Sequence, residues 1–74
     1  MTKDQKEYCV HNLVVSVIEK IHQKSPKKAE TEIAAEFLES QTYKKLTDLD
    51  TRLWAEGPDY ILGMYLNERE YKKP

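Results

Sequence analysis

Cys9, His11 and His22 are the side chains best suited to hold a transition metal. His11 and His22 fall on one face of any helix that contains both. At about 1.5 Å of rise per residue, however, they stand about 16 Å apart, too far for one ion. Cys9 and His11 point to different sides of the same helix. A thiol nucleophile at Cys9 would need an adjacent base, and the spacing supplies none. The expectation is a small apolar role for Cys9 and no metal centre.

The carboxylates are weighed in the same way. Asp48, Asp50 and Asp59 have the rough spacing of a calcium loop. That loop needs glycine at its sixth position and a bidentate glutamate at its twelfth. Those places hold Leu53 and Asp59. Glu32 and Glu36 are four apart, but acid–base catalysis would need burial to split their pKa values, and lysines surround them. Gly57 and Gly63 lack the lysine of a phosphate-binding loop. No catalytic residue, cofactor or metal is therefore expected, and the reading is non-enzymatic.

Lys24, Lys27 and Lys28 cluster, and Lys44 and Lys45 form a second pair. Together they are the candidate nucleic-acid patch. Against them, the following segment carries Glu30, Glu32, Glu36 and Glu39, and the net charge is -1. Phosphate would be repelled, so nucleic acid ranks below protein as a partner. Six of the seven aromatics fall at or after Phe37. Tyrosine and tryptophan offer large area with a polar tip, which suits interfaces. The candidate partner-binding residues are Trp54, Tyr60, Met64, Tyr65 and Tyr71.

These side chains need elements to place them. Val10, Leu13, Val14, Val17, Ile18 and Ile21 recur at helical spacing. Thr2 and Gln5 form a capping box, so a first helix should start at Lys3. Strand-like alternation fails because positions 13, 14 and 15 are all apolar. Ser25 and Pro26 read as the N-cap and first residue of a second helix running to about Glu39. The stretch around Tyr43 and Leu46, three apart, is expected to hold one or two helical turns. The Asp- and Thr-rich segment "TDLDT" reads as a turn. Pro58 opens a last helix to about Glu70, with Leu53 or Trp54 packed at its start. Its apolar residues wrap more than half of its circumference, which points to a shared face.

The sequence "FLESQTYKKLTDLDTRLWAEGPDYILGMYLNE" resembles a group of small uncharacterised bacterial helical domains. Thr42, Tyr43, Leu46, Thr51, Trp54, Pro58, Tyr60 and Ile61 carry the likeness, which covers the C-terminal half of the chain. Some members of that group lie beside toxin-like or mobile-element genes. The resemblance implies an accessory or antitoxin-like role in a bacterial protein.

The expected fold is all-α, a single domain over residues 1–74. A long helical hairpin is followed by a short helical turn and a third helix. The expected core is Val10, Leu13, Val14, Val17, Ile18, Ile21, Ile33, Phe37, Leu38, Leu46, Trp54, Ile61 and Leu62. Charged residues at 34% and hydrophobic residues at 39% fit a folded helical chain with a thin core. The lone cysteine and the polar start "MTKDQKEY" point to the cytoplasm. The longest apolar run, "LVVSVI", is too short for a membrane span. The expected function is protein interaction, with another chain or with a second copy as a homodimer.

Overall fold

The computed structural model describes residues 2–71, with side-chain surroundings to residue 70. Among these the chain is all-α, with four helices and two short 3-10 turns. Helix α1 spans Lys3–Lys24, α2 Glu30–Leu38, α3 Gln41–Thr47 and α4 Pro58–Tyr71. The 3-10 turns are Leu49–Thr51 and Leu53–Ala55. The one or two helical turns expected near Tyr43 are the seven-residue helix α3.

Helix α1 begins where its capping box places it. The Gln5 amide donates to Thr2 Oγ1 at 3.2 Å, and the Thr2 amide donates to Gln5 Oε1 at 3.0 Å. Each satisfies a donor that the helix end would leave bare. At about 1.5 Å per residue, its 22 residues cover about 33 Å. The whole molecule is 38 Å long, so α1 is its spine.

The start expected for the second helix is wrong by one turn. Ser25 does not cap α2. Its own N–H donates back to Ile21 and His22 carbonyls at 2.9 and 3.2 Å, so it closes α1. Its carbonyl accepts from the Lys28 amide at 3.1 Å. Pro26 then occupies the second position of a reverse turn, the other place where its fixed φ is favoured. Helix α2 starts four residues later, after Ala29, without a side-chain cap. Glu30 and Glu32 in its first turn favour the positive pole of the helix dipole.

Ser40 serves both neighbouring helices. Its hydroxyl donates to the Phe37 carbonyl at the end of α2 and accepts from the Tyr43 amide at the start of α3. Glu68 reaches from α4 to the same helix start. Its carboxylate accepts from the Gln41 amide at 2.9 Å, and from the Thr42 amide and hydroxyl at 2.7 Å each. Beyond α3 the "TDLDT" turn winds into the first 3-10 turn, with Asp48 accepting from the Asp50 amide at 3.1 Å. The Thr51 hydroxyl donates to the Lys45 and Asp48 carbonyls. Arg52 joins the two 3-10 turns at φ 59°, ψ 17°, a left-handed conformation that is costly for a residue with a Cβ.

The core gathers around Phe37. Its ring meets Tyr65 edge-on at 5.1 Å and Tyr43 at 5.9 Å. Val10, Leu13, Val17, Ile33, Leu46, Ile61 and Leu62 are buried with it. Val14, Ile18, Ile21 and Trp54 are only partly buried against this core. Leu38 departs from expectation: it is 45% exposed, because α2 ends there and turns it outward. Helix α4 packs mainly on α1 and α3. The second 3-10 turn packs chiefly on α1 and α3, and Leu53 and Trp54 lie against the core that Ile61 and Leu62 of α4 share.

Candidate protein-docking groove

The structure separates the five residues expected to bind a partner. Tyr65 is 3% exposed and belongs to the core, so it presents no contact surface. Its place on α4 between Ile61 and Arg69 turns it onto Phe37. Met64 is partly buried against the same core. Trp54 is half-buried and already engaged: its Nε1 donates to the Leu49 carbonyl at 2.9 Å, and Lys6 Nζ lies 5.2 Å from its ring centre. Tyr60 is open to solvent at 56%. The side chain of Tyr71 lies outside the described residues. The apolar girdle of α4 is therefore mostly spent internally, on Ile61, Leu62 and Tyr65, with Leu66 left exposed.

Of the candidate lysines, Lys24 is exposed at the end of α1, Lys27 is exposed in the turn before α2, and Lys44 and Lys45 are exposed on α3. Lys28 is drawn into an ion pair with Glu36 at 2.5 Å. Arg69 of α4 binds the other Glu36 oxygen at 2.6 Å and also donates to the Tyr65 hydroxyl at 3.0 Å. This cluster ties the α1–α2 turn, α2 and α4 together. Hydrogen bonds from Lys28 first, and then Arg69, hold the Glu36 carboxyl below its ordinary pKa. The Glu36 carboxylate in turn raises the Arg69 guanidinium. Glu36 is thus a tie between helices rather than half of an acid–base pair with Glu32. Among the described residues, no group of three or more His, Cys, Asp or Glu side chains converges as a metal site. Cys9 is half-buried.

A further open apolar surface lies elsewhere, along α1. Helix α2 has nine residues, about 14 Å, against about 33 Å for α1. It cannot cover its partner, and the N-terminal half of α1 is left with an open groove of about 650 Å³. Val10, Val14, Val15 and Ile18 of α1 form one wall. Leu38, Tyr43, Thr47 and Leu49 form the other, from the end of α2, from α3 and from the first 3-10 turn. Lys3, Glu7 and His11 complete the lining. Val15 is 42% exposed. Val15 and Ile18 also line a second depression of about 280 Å³, with Glu19 on α1 and Glu30, Thr31 and Ala34 on α2. The two run together along one side of the hairpin.

Sequence reasoning missed this groove, although a signal for it was present. Positions 13, 14 and 15 are consecutive apolar residues, so α1 is apolar over a wider arc than one packed face needs. Comparison with protein-family models, curated proteins and solved structures finds no match. The fold by itself defines the class: a small all-α domain built on a helical hairpin of unequal arms. Among the described residues no helix is long and apolar enough to cross a membrane.

Proposed function

We propose that this protein is a non-enzymatic interaction module that docks an amphipathic helix of another protein in the groove along α1. The observation that carries the reading is the continuous apolar strip from Val14 and Leu38 to Ala34, open to solvent and framed by charge. Contiguous exposed apolar surface with a polar rim is a usual mark of a protein-binding site. Helix-in-groove recognition uses such a strip to take side chains spaced three and four apart.

The rim supports a choice of partner. The lining carries three carboxylates, Glu7, Glu19 and Glu30, against one ammonium, Lys3, and the imidazole of His11, while His22 lies 3.9 Å from Glu30. An acidic frame favours a helix whose apolar stripe is flanked by lysine or arginine, and disfavours an acidic helix or an anionic lipid surface. A second copy of this chain is a poorer fit, since its own groove face carries the same acidic frame.

The test uses two synthetic amphipathic peptides of about 15 residues with the same leucine stripe. One is flanked by lysine and the other by glutamate. Chemical-shift mapping should place the lysine-flanked peptide on Val15, Ile18 and Leu38, with the glutamate-flanked one at least about tenfold weaker. Val15→Lys should abolish binding and leave the helical circular dichroism unchanged. Shifts confined to Tyr60 and Leu66 would move the site to α4. A concentration-dependent dimer that Val15→Lys disrupts would make a second copy the occupant and overturn the choice of partner.

A further inference from the structure

We infer that Trp54, which does not line the groove, is its positioning residue, acting through Leu49. This inference rests on the docking reading and deepens it. Leu49 has two engagements. Its side chain forms part of the groove wall and packs on the core. Its carbonyl accepts the Trp54 indole N–H at 2.9 Å.

The segment that carries Leu49 is short of regular support. Two three-residue 3-10 turns make it up, and a left-handed Arg52 joins them. Such turns close few hydrogen bonds, and the strained joint gives part of that stability back. What fixes the segment to the rest of the molecule is tertiary. Leu53 and Trp54 pack against the core, the Thr51 hydroxyl donates to the Lys45 carbonyl of α3, and the Lys6 ammonium of α1 sits over the Trp54 ring. The indole therefore clamps the segment to α1 from one side, while Leu49 faces the groove on the other. Groove width at Leu49 follows from where the indole holds that carbonyl. Docking that shifts Leu49 must in turn shift Trp54.

Trp54→Phe keeps an aromatic ring and deletes the N–H. Lys20→Ala is the control, because it cuts the 3.1 Å link between Lys20 and Asp59, away from the groove. With the lysine-flanked peptide as probe, calorimetry should show Trp54→Phe binding about three- to tenfold more weakly, as loss of one hydrogen bond implies. Lys20→Ala should bind as the unsubstituted protein does. A second measurement needs no variant: saturating peptide should shift Trp54 emission. Unchanged affinity in a folded Trp54→Phe protein, or unchanged emission at saturation, overturns the inference and leaves the docking reading intact. If the unsubstituted protein binds no peptide, both fall.

Discussion

Arg52 is the residue whose identity fits its backbone least. A left-handed residue with a Cβ costs about 1–2 kcal/mol, and glycine avoids that term while adding freedom to the unfolded chain. Arg52→Gly is expected to raise stability by about 0.5–1 kcal/mol in urea denaturation. Glu36 makes a second residue-scale prediction. Its folded pKa is depressed by Lys28 and Arg69, so its contribution is present above the unfolded carboxyl pKa. That contribution is lost as pH falls through the folded value. The loss should be small, because the carboxylate is 39% exposed and solvent screens the pair. Urea midpoints measured from pH 7 down through the carboxylate range should fall less for Glu36→Gln than for the unsubstituted protein.

At the scale of elements, α3 depends on a residue 26 positions away. Its seven residues are too few to hold a helix by backbone bonding alone. Ser40 and Glu68 supply acceptors for its first amides. Glu68→Ala is expected to destabilise the fold by about 2 kcal/mol, the worth of a charge-assisted bond plus part of a cap. Hydrogen exchange at the Gln41 and Thr42 amides should accelerate in that variant. Helix boundaries marked by local chemistry were legible: Thr2 with Gln5 placed α1, and Pro58 placed α4. Ser25–Pro26 misled, because the same pair suits a reverse turn as well as a helix start, and only the distant packing chooses between them. Glu68 was invisible for a related reason. No spacing rule links a carboxylate on one helix to bare amides on another.

Across the whole molecule, the apolar residues divide between inside and outside in a way that composition does not reveal. Phe37 and Leu38 are neighbours on α2, yet one is at the centre and the other is on the groove rim. Phe37→Ala is expected to cost about 3–5 kcal/mol, and Leu38→Lys to stay within about 0.5 kcal/mol of the unsubstituted protein. Paired denaturation curves check both. The all-α class and most of the core were readable from periodicity, since Val10, Leu13, Val17, Ile33, Phe37, Leu46, Ile61 and Leu62 repeat at helical spacing. Tyr65 was assigned to a surface because tyrosine favours interfaces, and the structure puts its ring on Phe37 instead. The apolar run at positions 13–15 hinted at spare surface on α1, but the shape of the groove arises from a mismatch of two helix lengths, one of them fixed by a boundary that the sequence marks ambiguously.

The spine helix has a consequence for how such a chain can change. Val14 and Ile18 touch the core and the groove at once. Under the docking proposal, any replacement there alters folding and recognition together, so neither trait can be tuned at those positions without moving the other. His11, Val15 and Leu38 line the groove and are exposed, outside the core. Divergence in partner choice should accumulate at those three positions, while Val14 and Ile18 stay nearly still across variants that keep the fold.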